Sequence, residues 1–334
     1  MFSSTTELRP LPEPGGPRIA AIVPCHNEAL SVTSVVRDLR KAVPGITVYV
    51  YDNNCTDGTA EMAERAGAIV RRERLKGKGN VVRRAFADVD ADVYLLIDGD
   101  DTYDASRAGE LVDALLEGPY DQVIGTRTGT AYRRGHAAGN RMFNLLVGSL
   151  FGMPVRDMLS GYRVLSRRFV KSFPAASREF EIETELTVHA MNLRVPQVEV
   201  PVGFKERPEG SESKLRTVHD GSRILWLIGE LTRHERPMLY FGLISLVLAV
   251  LGLLLGLPVI AEFAETGVVP RLPTAILASS LMILALLMLV SGLVLDGLRR
   301  SRREATRLAY LALPALGDDG DESDEHRHHR VRAR

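Results

Sequence analysis

The amino-terminal half of the chain alternates short apolar runs with stretches of helical periodicity. The first apolar run, residues 19–23, is broken by Pro24. The stretch after it repeats apolar residues at helical spacing, at Val32, Val35, Val36 and Leu39. A second run, residues 47–51, leads into a polar turn and a helix predicted to begin near Thr59. Short strands that alternate with helices predict an α/β fold, with a mostly parallel sheet flanked by helices.

A third apolar run, residues 94–97, ends abruptly in the sequence Asp98, Gly99, Asp100 and Asp101. Repulsion between clustered carboxylates raises their pKa and opposes full ionisation. A bound divalent cation reverses that effect, and open α/β sheets bind ligands where their strands end. The pattern therefore predicts a metal site. The alternative is a solvated acidic turn in which Asp101 caps the next helix.

Two apolar stretches without any charge, residues 238–261 and 272–295, follow in the carboxyl-terminal part. Each is long enough to cross a bilayer core of about 30 Å as a helix. A buried core helix can be equally apolar, but two such stretches in succession favour a transmembrane hairpin. The outer flanks carry Arg216, Arg223, Arg233 and Arg236 on one side and Arg299, Arg300, Arg302, Arg303 and Arg307 on the other. The link between the stretches has a single arginine, so we predict that both termini are cytoplasmic.

These patterns divide the chain into five segments. Residues 1–17 lack a signal-peptide pattern and predict a disordered leader. Residues 18–216 form the α/β domain. The pattern of residues 217–236 predicts a juxtamembrane amphipathic helix. We expect this helix to lie either in the membrane interface or against the α/β domain. Residues 237–313 hold the hairpin with its basic flank, and residues 314–334 predict a disordered tail.

The composition of the chain indicates which kinds of partner and which redox compartment to expect. The 334 residues carry 42 basic and 42 acidic side chains, so the balanced charge indicates no polyanion partner such as a nucleic acid. The only cysteines are Cys25 and Cys55, which argues against a disulfide framework and for a reducing compartment. Each is either a small buried filler, which we favour, or a reactive thiol. A Gly-x-Gly-x-x-Gly turn is missing after the first strand, which argues against a dinucleotide-binding dehydrogenase.

Five short motifs occur in one order along residues 18–214: VPCHNEA, YDNNCTDGT, GKGN, DGDD and LSGYR. In this order they resemble the family 2 glycosyltransferases of the GT-A fold. The resemblance is to the branch of dolichyl-phosphate mannose synthases and other polyprenyl-phosphate glycosyltransferases. It implies a GT-A nucleotide-sugar-binding domain followed here by two transmembrane helices.

The resemblance also implies a donor site and a metal. The implied nucleotide-sugar contacts are Pro24, His26, Glu28, Asp52, Lys78, Asp98, Gly99, Arg207 and Lys214. A Mg²⁺ or Mn²⁺ ion on Asp98 and Asp100 would neutralise the leaving nucleoside diphosphate, with Asp98 either supporting that ion or binding the ribose. Two alternatives stay open: Lys78 as part of a solvated basic turn, and Glu28 as a carboxylate favoured by a helix dipole.

The implied acceptor is polyprenyl phosphate, an anionic nucleophile that needs little help from a general base. Arg127, Arg141 and Arg163 match the acceptor-phosphate arginines of the family, and arginine suits phosphate because its donors are forked. Either Arg127 or Arg141 could instead be a surface cation. Asp157 matches a carboxylate proposed to be catalytic, and a structural hydrogen-bonding role is the alternative. The implied catalytic set is thus Asp100, Asp157, Arg127 and Arg141.

Taken together, the resemblance implies an inverting enzyme of the cell membrane. It would move a sugar from a UDP- or GDP-sugar to polyprenyl phosphate at the cytoplasmic face, making a lipid-linked donor for cell-envelope glycans or protein glycosylation. The alternatives are a glycosyltransferase with another lipid acceptor and an inactive nucleotide-sugar-binding scaffold. The sequence leaves the sugar and the oligomeric state open, a homo-oligomer included.

Overall fold

The computed structural model describes residues 16–128, 157–175, 182–205, 233 and 236–316. The chain divides into two compact units. One unit combines Met1–Lys214 with Thr306–Arg334, and the other is Leu215–Ala305. The predicted leader and the predicted juxtamembrane helix fall almost entirely outside the described residues. The disordered leader and the juxtamembrane helix therefore stay predictions.

The larger unit contains one sheet, to which the described residues contribute seven strands in the order β3-β2-β1-β4-β6-β5-β7. The strands are β1 (Ile19–Cys25), β2 (Thr47–Asp52), β3 (Ile69–Arg72), β4 (Val93–Leu96), β5 (Gln122–Thr128), β6 (Arg163–Ser166) and β7 (Gln197–Gly203). All pairings are parallel except those of β6, which runs antiparallel to both β4 and β5. The predicted α/β class with a mostly parallel sheet is confirmed.

Helices alternate with the strands, as the sequence predicts. Their bounds are α1 (Val32–Ala42), α2 (Thr59–Arg65), α3 (Lys78–Asp88), α4 (Ala108–Glu117), α5 (Arg167–Ser172), α6 (Ile182–Leu193), α7 (Pro237–Thr266) and α8 (Leu272–Leu311). The residues that predict α1 from their spacing are all buried in it. The predicted start of α2 at Thr59 is also confirmed.

The core lies on both faces of the sheet. In β1, Ala21 and Val23 belong to one hydrophobic cluster, whereas Ala20 and Ile22 belong to the other. A strand that is buried on both faces reads as a continuous apolar run rather than an alternating one. This explains why the central strands stand out in the sequence.

Pro24 does not break the first strand. β1 continues to Cys25, and Pro24 pairs in register with Tyr51 of β2. On its other side the β1–β4 ladder stops at Ile22. Proline lacks an N–H, and it is tolerated here because the ladder with β4 has already ended.

The sheet topology gathers the ends of several strands at one edge. β1, β2, β4 and β5 all point the same way, so their carboxyl ends share that edge. Antiparallel β6 begins at this edge, where β5 ends. Open α/β sheets bind their ligands at such an edge.

The smaller unit contains α7 and most of α8. Both are long and apolar enough to cross a membrane, and only 11% and 17% of their most hydrophobic windows are buried. A core helix of a soluble protein would be largely buried, so these exposed apolar surfaces suit lipid. The helix α8 extends well past the charge-free stretch that predicts it, because residues 296–311 are rich in good helix formers.

Small residues line the contact between α7 and α8. The Ser245 hydroxyl donates to the carbonyl oxygen of Ala285 at 2.7 Å. A Cβ placed on Gly252 would lie 3.1 Å from Met282 Sδ, so the glycine allows close approach. Small residues and interhelical hydrogen bonds are typical of membrane helix pairs.

Candidate active site

The loops after β1 and β2 lie side by side. His26 Nδ1 is 2.8 Å from the carbonyl oxygen of Asn53, and the Glu28 N–H donates to Thr59 Oγ1 at 2.9 Å. Asp52 is buried and accepts from the Cys55 N–H at 2.7 Å. The structure therefore brings the predicted donor residues His26, Glu28 and Asp52 to neighbouring strand ends.

Asn53 holds a third loop against these two. Its side-chain nitrogen donates to the carbonyl oxygens of Glu73 and Leu75 at 2.9 and 2.8 Å. Its side-chain oxygen accepts from the Gly77 N–H at 2.8 Å. One amide thereby fixes the start of α3, where Lys78 lies.

The acidic loop after β4 packs tightly against the end of β1. A Cβ placed on Gly99 would lie 2.3 Å from Cys25 Sγ and 2.7 Å from Glu28 Oε2. The Gly99 carbonyl also accepts from the Ser31 hydroxyl at 2.7 Å. Gly99 is thus needed for close approach, and it brings Glu28 next to the loop that carries Asp98 and Asp100.

Asp100 is oriented by its own loop. It is only 4% exposed, and its Oδ1 accepts from both the N–H and the hydroxyl of Thr102, at 3.1 and 2.7 Å. Asp101 has a left-handed backbone with φ of 57°, and its Oδ1 lies 3.8 Å from Lys205 Nζ. Asp104, not Asp101, caps the following turn by accepting from the Ser106 N–H. The predicted alternative of Asp101 as a helix cap is wrong.

Lys78 does not form a solvated turn. Its side chain is 6% exposed, and its ammonium is paired with Asp98 Oδ1 and, at 2.6 Å, with Glu183 Oε1. Burial lowers the pKa of Lys78, but the two carboxylates outweigh burial and raise that pKa above its ordinary value. Lys78 therefore stays charged and meets carboxylates in this structure, so its predicted contact with donor phosphates stays a prediction.

The residues at this edge fit a divalent cation. No group of three or more His, Cys, Asp or Glu side chains suited to a metal occurs among the described residues. Mg²⁺ and Mn²⁺ in nucleotide sites are commonly held by one or two carboxylates together with substrate phosphates. Asp98 and Asp100 supply that set, with Asp100 already oriented by Thr102.

Arg127 and Asp157 form a bidentate ion pair at the end of β5. Arg127 Nη2 donates to Asp157 Oδ1 at 2.6 Å, and its Nε donates to Oδ2 at 2.8 Å. The Arg127 guanidinium also lies 5.6 Å from the centroid of the Phe204 ring. Arg127 is thus a fixed and largely buried cation rather than a loose surface charge.

Arg163 does not reach the site. It is fully buried, and its guanidinium donates to the carbonyl oxygens of Ser160 and Met158, to Thr187 Oγ1 and to Gln122 Oε1. Burial lowers the pKa of Arg163 to about 10, so it remains charged at neutral pH. The predicted contact with an acceptor phosphate needs correction, because interior oxygens already occupy these donors. Arg163 instead ties β6 to α6.

Replacing Arg163 with methionine is expected to lower the free energy of unfolding by about 3 kcal/mol, because buried oxygens lose their donor. Chemical denaturation of the purified protein measures this. Nucleotide affinity of the folded fraction is expected to stay at the wild-type level. A stable Arg163→Met protein with weakened binding of polyprenyl phosphate would restore the original assignment.

Three predicted site residues, Arg141, Arg207 and Lys214, lie outside the described residues. The two cysteines are both free thiols. Burial raises the pKa of Cys25 far above its ordinary value and that of Cys55 to about 11. Neither side chain is a thiolate at neutral pH. This favours the interpretation of both cysteines as small packing residues rather than reactive thiols.

Sequence reasoning missed Glu183, Thr102 and Asn53. Glu183 is the second residue of α6, far along the chain from Lys78, and nothing in the sequence around it marks it as buried. Thr102 directly follows the acidic motif, and its spacing of two residues from Asp100 is a usable signal for such a side-chain turn. Asn53 lies within a quoted motif, but its role depends on a loop twenty residues later.

Comparison with known proteins identifies the family of this chain. Residues 20–173 match the family model described as "Glycosyl transferase family 2". Glycosyltransferase AglJ of Haloferax volcanii is 35% identical over 255 residues, which cover 75% of this chain and 84% of AglJ. The chain belongs to glycosyltransferase family 2. The predicted glycosyltransferase activity is thereby confirmed.

One further relative and one solved structure are also similar to this chain. A dolichyl-phosphate hexose transferase of Haloferax volcanii is 28% identical to this chain. The aligned region covers 65% of this chain and 95% of the hexose transferase. Glucosyl-3-phosphoglycerate synthase of Mycobacterium tuberculosis, solved in complex with Mn²⁺, UDP-glucose and phosphoglyceric acid, superposes with a TM-score of 0.53. The match is 22% identical and covers 65% of this chain and 79% of the synthase. It supports the predicted GT-A fold.

Proposed function

We propose that this glycosyltransferase catalyses the inverting transfer of one sugar from a UDP- or GDP-sugar to polyprenyl phosphate at the cytoplasmic face of the membrane. The product would be a lipid-linked sugar that serves cell-envelope glycan synthesis or protein glycosylation. The observation that carries this proposal is the Arg127–Asp157 ion pair at the same sheet edge as Asp98 and Asp100. This pair supports the proposal because it supplies a fixed cation at the sheet edge whose carboxylates we assign to a metal–diphosphate.

The donor half of the proposal rests on the acidic loop. Asp98 and Asp100 would hold Mg²⁺ or Mn²⁺, and a metal so bound would stabilise negative charge on the departing nucleoside diphosphate. His26, Glu28 and Asp52 line the adjoining strand ends, where they would bind the base and ribose. The Mn²⁺ and UDP-glucose bound by the structural neighbour support this donor class.

The acceptor half rests on Arg127 and Asp157. Both Asp157 oxygens already accept hydrogen bonds from Arg127, which suits Asp157 to orienting that arginine rather than to removing a proton. A phosphate acceptor is anionic at neutral pH and needs no such base. The relative named as a dolichyl-phosphate hexose transferase supports the same acceptor class.

Incubation of membranes containing the protein with polyprenyl phosphate and a panel of radiolabelled UDP- and GDP-sugars tests the proposal. We expect one labelled sugar to enter the lipid fraction only when polyprenyl phosphate is added. Transfer to a lipid-linked saccharide or a glycolipid, but never to polyprenyl phosphate, would identify a different acceptor. Membranes carrying Asp100→Asn protein provide the control for background transfer.

A further inference from the structure

A buried ion triad, made of Glu183, Lys78 and Asp98, lies beside the acidic loop. Lys78 Nζ is 2.6 Å from Glu183 Oε1 and is also paired with Asp98 Oδ1. The Lys78 and Glu183 side chains are each 6% exposed, whereas that of Asp98 is 28% exposed. The triad thus extends from the protein interior towards the candidate site, and Asp98 is its most exposed member.

The surroundings fix the triad in place. Lys78 begins α3 and Glu183 lies in the first turn of α6, and these two helices pack against each other. A Cβ placed on Gly161 would lie 2.7 Å from both Asp98 Oδ2 and Lys78 Nζ. The backbone of the LSGYR segment therefore packs directly against the Asp98–Lys78 ion pair. Asp98 and Lys78 therefore have little room to move apart.

Glu183 contributes more charge than a purely structural contact needs. Its Oε2 is buried and has no hydrogen-bond partner within the described part of the chain. A buried carboxylate oxygen without a partner is costly, and Lys78 already has a carboxylate partner in Asp98. The ionic form is therefore expected to serve something outside the pair itself.

We propose that Glu183 is a positioning residue of the donor site, which acts through Lys78 to set the place and charge of Asp98. With Glu183 present, the ammonium is shared between two carboxylates and Asp98 keeps negative charge available for a cation. Without it, Lys78 would neutralise Asp98 alone. The inference rests on the proposed function, because it assumes that Asp98 faces a metal–nucleotide complex.

The test is Glu183→Gln in the full-length protein, which preserves shape and hydrogen bonding but removes the charge. Affinity for Mn²⁺ is measured by calorimetry in the presence of UDP and, separately, GDP. We expect Mn²⁺ affinity to fall by about tenfold or more, in line with outer-shell partners of metal ligands elsewhere. Nucleotide binding without metal and the melting temperature are expected to change little.

The matched control is Glu185→Gln, which makes the same substitution two residues along the same helix and should leave Mn²⁺ affinity unchanged. If Glu183→Gln protein does not fold, Glu183→Asp replaces it, because that variant keeps the charge but draws the carboxylate away from Lys78. Unchanged Mn²⁺ affinity in the folded variant, with or without a lower melting temperature, would overturn the inference. A wild-type protein that bound neither nucleotide with Mn²⁺ would overturn the proposed function as well.

Discussion

Replacing Asp100 with asparagine is expected to slow sugar transfer by about three orders of magnitude while leaving the fold intact. The Asp100 Oδ1 accepts two hydrogen bonds from Thr102, and an asparagine oxygen can accept the same two bonds. The loop should therefore keep its shape. What disappears is the negative charge that would hold the divalent cation.

Transfer by the purified full-length protein, with Mg²⁺ or Mn²⁺ titrated into each reaction, measures the effect. Asp113→Asn, a half-buried aspartate on α4, makes the same chemical change away from the sheet edge and should retain wild-type activity. Excess EDTA should reproduce the loss in the wild-type enzyme. Full activity in EDTA, or in the Asp100→Asn protein, would exclude the predicted metal site.

Replacing Arg127 with alanine is expected to lower transfer by about ten- to a hundredfold, because charge-assisted hydrogen bonds worth roughly 1.5 to 3 kcal/mol are lost. Arg127→Lys should restore only part of the rate, since the charge returns but the forked geometry does not. Arg141→Ala is expected to behave in the same way. Affinity for UDP or GDP with metal should change little, because both arginines are assigned to the acceptor.

Calorimetry with nucleotide and binding assays with polyprenyl phosphate separate the two substrates. Arg65→Ala, at an exposed position of α2, is the control for loss of a positive charge. Asp52→Ala provides the contrasting case and should weaken nucleotide binding itself. An Arg127→Ala protein that lost nucleotide affinity but bound polyprenyl phosphate normally would move Arg127 to the donor diphosphate.

The features of the fold that the sequence predicts are those encoded locally. The strands buried on both faces appear as continuous apolar runs, and α1 appears through four residues at helical spacing. The acidic loop is equally visible, because carboxylates directly after a buried strand are unusual. Each of these signals lies within about ten residues of chain, so no knowledge of long-range pairing is needed.

The features that escape prediction depend on distant partners. Lys78 lies in a glycine-rich segment that resembles an exposed turn, yet Glu183 and Asp98 make it a buried cation. Arg163 ends the LSGYR motif, close along the chain to the candidate residue Asp157, but its hydrogen bonds to Thr187 and Gln122 hold it in the interior. Arginine and lysine are seldom buried without such partners, so their burial cannot be read from the residue type alone.

The antiparallel direction of β6 has a consequence for how this enzyme can diversify. β5 ends at Thr128 and β6 begins at Arg163 at the same edge of the sheet, and the Arg127–Asp157 ion pair lies where these two described parts of the chain meet. The entropic cost of joining two fixed ends grows only slowly with the number of residues between them. The sheet should therefore tolerate insertions and deletions between these two ends, and the sequence between them includes Arg141, which is assigned to the acceptor. Acceptor preference would then evolve while the donor chemistry stays constant.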